Sequence, residues 1–359
     1  MNKTLALCTL AAVVTCGAAG ASQVDRSQVT LSRLTDASDL IVVADVTATG
    51  DPVRLSVHTA LRGSSASEFD VPAGEVTWRA GDRVLAFLSL DASGAARMPH
   101  TSACVVVLPN AATAAALTRA VQERLPRLGG DPAVLRASQF DALTSPLARL
   151  REDAAYELLA YADLNPTAAE VAALVRGVEL HPSVPAAELA GRLRRSEALI
   201  ALLQAGRNAT DPILREVVGH ALGKIDAVAS VDALTRDLAA STPTATAAGA
   251  VELIGIAGGL DAQRSLGLAL RDARPMVREA ALRALATSPS AKSAAPSLEQ
   301  VAQTGSPNER RLALAALARA GAGDVLRRIA KDHADPTTRA LADQLRADPS
   351  GLAEQILAE

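Results

Sequence analysis

Pro275-Met-Val-Arg278-Glu-Ala-Ala-Leu-Arg-Ala-Leu285 states in one line the phrase that decides the fold of this chain. A proline opens it, an arginine follows three places on and a leucine ten places on. The phrase returns at Pro212 with Arg215 and Leu222, and at Pro307 with Arg310 and Leu317. Pro243 keeps Leu253 but has Thr246 in place of the arginine, and Pro336 keeps Arg339 but has Arg346 in place of the leucine. Successive prolines stand 31, 32, 32 and 29 residues apart, so residues 211–359 are expected to form a repeat array. Proline is tolerated in the first turn of a helix, where its missing N–H is no loss. Asp211, Thr242, Ser306 and Asp335 precede four of the prolines and carry oxygens that can cap the helix start, with Arg274 the exception. Each unit leaves room for a second helix, expected at 228–239, 260–271, 291–303 and 323–331. A helix pair of this size cannot bury its apolar face alone, so neighbouring pairs must stack.

Working back from the array, Leu147, Leu150, Ala154, Leu158 and Tyr161 recur every three or four residues and mark an amphipathic helix. Further helical runs follow at 166–178, 185–193 and 196–204, and residues 141–210 read as irregular repeats capping the array. Residues 111–140 read as a helix to Leu125 and a linker containing Gly129-Gly130-Asp131. Before them, residues 24–110 change character. Runs at 40–46, 53–61, 69–74, 76–78, 84–88 and 104–108 are β-branched or alternating and are bounded by turn residues, which predicts a small β barrel or sandwich.

The chain has 359 residues, of which 49% are hydrophobic and 2% aromatic, and no aromatic follows Tyr161. A core of Ala, Leu and Val suits closely stacked helices. The net charge of −3 gives no support to a nucleic-acid partner, and a helical half without aromatics lacks the stacking platforms that single strands need. Residues 1–21 read as an export signal: Lys3, an apolar run from Leu5 to Val14, and small residues ending Ala19-Gly20-Ala21. The expected location is therefore the periplasm or the medium. Val13-Val14-Thr15-Cys16 also looks like a lipoprotein box, and a membrane attachment is implied only if Cys16 is lipidated. With cleavage after Ala21, Cys104 alone remains, expected as a buried thiol.

Two resemblances can be placed on these residues. Residues 37–46 (Ala-Ser-Asp-Leu-Ile-Val-Val-Ala-Asp-Val), Ala60-Leu-Arg-Gly63 and residues 79–88 look like an exported bacterial β domain similar to netrin-like OB barrels. Metalloprotease inhibitors of that class lead with a cysteine, and Ser22-Gln23 offers none, so only the fold is carried over. The array resembles HEAT repeats, specifically the short HEAT-like units associated with phycocyanobilin lyases. The implied architecture is a small N-terminal β barrel or sandwich followed by an all-α HEAT-like solenoid.

No G-x-S-x-G, Walker A or G-x-G-x-x-G motif occurs, and the five histidines show no metal-ligand spacing. The expectation is a chain with no catalytic residue and no cofactor, working as a binding scaffold of the cell envelope. The alternatives are an enzyme or accessory of the HEAT-like lyase type, or a tethering lipoprotein. Pro212, Arg215, Pro275, Arg278, Pro307, Arg310, Pro336 and Arg339 are expected to hold the repeats in register. By analogy with HEAT solenoids the second helices line the concave face. Their cations Arg236, Arg264, Arg271, Lys292, Arg327, Arg328 and Lys331 are the candidate contacts for an acidic protein or peptide.

Overall fold

The computed structural model describes residues 29–358, apart from residues 65, 75, 99–101, 126–130 and 240–241. The expected export signal, with Cys8 and Cys16, and most of the linker expected before Pro132 lie outside the described residues. A β unit comes first. Helix α1 (Leu31–Ala37) leads into β1 (Leu40–Ala48), β2 (Val53–Arg62), β3 (Glu68–Val71), β4 (Arg83–Leu90), β5 (Ala96–Arg97) and β6 (Val105–Val107), and α2 (Ala111–Arg124) closes it. All pairings are antiparallel, in the order β3-β2-β1-β4-β5, with β6 sharing the far edge of β4.

The uninterrupted apolar run of β1 has a structural cause. Leu40, Val42, Ala44 and Val46 pack with Leu55, Val84, Ala86 and Leu88 inside the curled, nearly barrel-shaped sheet. Ile41 and Val43 point the other way and are covered, with Leu85 and Phe87, by Leu31 and Leu34 of α1 and by Leu117 and Val121 of α2. A strand buried on both faces has no polar face to alternate with. The expected strand at 76–78 does not form; the Trp78 indole instead donates to the Ala73 carbonyl at 2.8 Å.

The helical part comprises α3 (Pro132–Ala142), α4 (Ala148–Ala160), α5 (Ala168–Leu180), α6 (Val184–Leu193), α7 (Leu199–Asn208), α8 (Pro212–Arg236), α9 (Thr244–Ala257), α10 (Gly259–Ala269), α11 (Pro275–Thr287), α12 (Ala295–Thr304), α13 (Pro307–Arg319), α14 (Gly323–Asp332), α15 (Pro336–Ala347) and α16 (Gly351–Ala358). Helix α8 is two helices joined at Asp226, whose φ and ψ of −160° and 96° break the turn. The Asp226 carboxylate then accepts from the Ala229 N–H at 2.9 Å and starts the second arm. Asp211, Ser306 and Asp335 cap their helices with side-chain oxygens, and Ser306 with Glu309 forms a reciprocal capping box. Thr242 does not cap: α9 starts one residue later than expected, with Pro243 itself at the cap position. Between α9 and α10 the chain turns through Gly258 and Gly259, both with positive φ, which a side chain would resist.

The helices form two layers around one continuous core of Ala, Leu, Val and Ile. The first arm of α8 with α9, α11 and α13 make one layer; the second arm of α8 with α10, α12 and α14 make the other. The first layer is far closer packed. A Cβ added at Gly223 would meet the Ala257 carbonyl oxygen at 2.6 Å, and one at Gly255 would meet Ala284 Cβ at 2.6 Å. Within the second layer neighbouring helices touch little. The small residues concentrated in the first layer are the cause of its closer spacing.

Candidate functional site

Arginines of the recurring phrase lie in the seams between repeats. Arg278 donates from Nε to Glu309 of α13 at 2.5 Å and from Nη1 to the carbonyls of Asp272 and Ala273 at 2.8 and 3.0 Å. Arg215 pairs through Nη1 with Glu252 of α9 and through Nη2 with the Ala209 carbonyl at 2.6 Å. Arg310 reaches Asp335 at 3.1 Å, and Arg339 donates to the His333 and Ala334 carbonyls at 2.6 and 3.0 Å. Each guanidinium thus holds the turn before its own helix, the next repeat, or both. Where Thr246 interrupts the series, Arg274 substitutes, donating to the carbonyls of Thr242 and Leu238 at 2.7 and 3.0 Å while Asp272 holds its other edge at 2.7 Å. That explains why the residue before Pro275 is an arginine rather than a cap.

Carboxylates of these seams are tuned by their partners. Burial pushes the Glu309 carboxyl up, but the Ser306 N–H, Arg278 and the Ser306 hydroxyl outweigh it, and its pKa falls below the usual glutamate value. The Thr338 hydroxyl, followed by the Thr337 N–H, lowers Asp335.

The seven candidate contact cations are all exposed on the second layer or its turns. Arg236 ends α8, Arg264 lies on α10 with Arg271 just past it, and Lys292 sits in a short 3-10 turn before α12. Arg327, Arg328 and Lys331 lie on α14. Arg327 pairs with Asp324 at 3.0 Å and Arg328 with Glu299 at 2.8 Å. The side chains of Arg236, Arg264, Arg271, Lys292 and Lys331 make no hydrogen bond or ion pair among the described residues.

Sequence reading missed a polar knot where the β unit meets α3 and α4. Asp153 accepts from the Leu31 N–H and from Arg149 Nε, both at 2.8 Å, and Arg149 Nη2 donates to the Val29 carbonyl at 2.6 Å. Glu157, one turn on, accepts from the Thr30 hydroxyl and from Gln139 Nε2, the latter at 2.9 Å. Burial raises the Asp153 carboxyl above the usual range despite Arg149. The i, i+4 spacing of Asp153 and Glu157 was visible, but partners 122 and 127 residues away were not. A second unforeseen group lies on the sheet surface, where Asp45 accepts from Arg83 at 2.9 Å and meets His58 at 2.6 Å, which lowers its pKa to about 2. Among the described residues no three His, Cys, Asp or Glu side chains are placed to hold a metal ion, and no helix is long and apolar enough to cross a membrane. Cys104 is buried beneath the sheet.

No family model matches the chain, and no curated protein does. Among solved structures, one similar chain belongs to the complex of CpcE and CpcF of phycocyanin lyase from Nostoc sp. PCC7120. The identity is 21% over 62% of this chain and 92% of that one, with a TM-score of 0.30.

Proposed function

We propose that this chain is a non-catalytic scaffold that grips an acidic protein or peptide on the second helices of its helical stack, and that it works in the cell envelope, as its first 21 residues imply. One observation carries the reading. Cations of the recurring phrase are consumed by the fold, whereas five cations of the second helices and their turns stand exposed with no partner among the described residues. Lone surface cations are ordinary; a set repeated along successive units of one layer makes a field that attracts and orients an acidic partner.

The test is the salt dependence of binding to a poly-glutamate peptide, for the native chain and for Arg236→Glu/Arg264→Glu/Arg271→Glu. Native affinity should fall about tenfold between 50 and 300 mM salt, a rough expectation for screened charge attraction. The triple variant should lose most of its affinity while its melting temperature holds. Equal affinity and an equal salt slope in the two proteins would sink the proposal.

A further inference from the structure

Helix α10 and the second arm of α8 lie side by side in the second layer, joined by a hydrogen bond of 2.8 Å between the Thr235 and Ser265 hydroxyls. On α10, Arg264 and Leu268 stand four residues apart on one face, and Arg271 follows three residues on, in the turn just past the helix. Leu268 is 55% exposed, and neither arginine side chain has a partner among the described residues. On the α8 arm, Val228, Asp232 and Arg236 repeat at spacings of four, and Val228 is also 55% exposed. Between the helices runs a groove of about 370 Å³ lined by Thr235, Arg236, Leu238, Ala239, Leu268 and Asp272 among others.

Charge decides what fits. Asp272 is already engaged by Arg274 at 2.7 Å and Asp237 by Arg207 at 2.6 Å. Among the described residues the groove wall therefore carries one free guanidinium, Arg236, and no free carboxylate, while Arg264 and Arg271 stand free one turn before and three residues after Leu268, and Asp232 is exposed one turn before Arg236. An exposed leucine by itself needs no explanation. A leucine bracketed by two unpaired arginines beside a groove does, because an anchor residue ringed by charge is how a short segment gains both affinity and register.

We infer that this groove anchors the acidic partner proposed above, and that it takes a helical segment carrying one large aliphatic side chain with carboxylates four residues before and three after it. The aliphatic chain enters the groove over Leu268. The two carboxylates meet Arg264 and Arg271, and a third acid can meet Arg236. The inference rests on the second-layer reading and adds an apolar anchor with a defined spacing.

The experiment uses the full chain and a labelled helical peptide with the Glu-x-x-x-Leu-x-x-Glu spacing, read by fluorescence anisotropy. Leu268→Ser should weaken binding about tenfold, the scale of losing part of one leucine's burial. Replacing the peptide leucine by serine should cost the native protein the same factor and cost Leu268→Ser little more, because both changes remove one contact. Arg264→Glu/Arg271→Glu should lose at least about tenfold. Native-like affinity for Leu268→Ser alongside weakened binding by the charge variant overturns the groove and leaves the cation reading standing. Native-like affinity for both variants overturns both readings. Equal binding of the leucine and serine peptides by the native chain also overturns the groove. Leu268 is exposed, so its variant should melt as the native protein does, and circular dichroism checks this.

Discussion

Two sets of basic residues run along the same helical stack and meet opposite fates. Arg215, Arg278, Arg310 and Arg339 recur at one place in the repeat, and every one is engaged by carboxylates or carbonyls of its own or the next unit. Arg236 and Lys331 share one place in the repeat while Arg264, Arg271 and Lys292 each stand elsewhere in it, and none of the five side chains is engaged among the described residues. The difference teaches that recurrence in an array reports folding, while function is better sought where repeats depart from one another.

Changes on the two sides should separate cleanly. The largest effect is expected for Arg278→Ala, which strands the Glu309 carboxylate, 6% exposed, without its counter-ion. Losing one partner of a buried pair costs about 3 kcal/mol, so thermal and urea unfolding should both shift markedly. Gly223→Ala comes next: its Cβ would meet a backbone carbonyl, and a forced backbone shift of this kind costs about 2 kcal/mol, measurable by urea unfolding. A smaller change is expected for Glu309→Gln at neutral pH, since glutamine can keep the capping box. The effect appears in acid. The folded pKa of Glu309 lies below its ordinary 4.5, so its contribution is complete above that value and is lost as pH falls through the folded value. Melting temperature should therefore decline less steeply below pH 4.5 in the glutamine variant; an identical profile would remove Glu309 from the seam's energetics. The smallest stability effect is expected for Arg264→Glu/Arg271→Glu, within about 0.5 kcal/mol, as for surface changes that break no contact.

Much of this architecture was legible because it depends on local chemistry. Proline three places before arginine marks helix starts at Pro212, Pro275, Pro307 and Pro336, with a capping oxygen ahead of all but Pro275, and these starts are where the helices begin. The strand runs at 40–46 and 84–88 were readable because both faces are covered and both stay apolar. What escaped depends on distant partners. Helix α1 is seven residues long, and its start is tied down by Asp153 and Glu157 from the far side of the β unit. Helix α3 hides in a stretch rich in glycine and proline signals, and pairs with α4 as the first member of the stack. Which layer packs closer escaped as well, because layer spacing is set jointly by glycine and alanine at 219, 223, 255 and 284. The candidate cations could be named from the sequence, yet which of them the fold consumes is decided by residues such as Glu299, one repeat before Arg328.

The central claim, that one set of arginines folds the chain and the other binds its partner, is tested most directly by a crossed measurement. Affinity for the acidic peptide and melting temperature are read together for Arg278→Gln and for Arg264→Glu/Arg271→Glu. The expected result is a lowered melting temperature with native affinity in the first, and a native melting temperature with lost affinity in the second. Lost affinity in the folded Arg278→Gln protein, with native affinity in the charge-reversed one, would contradict the account.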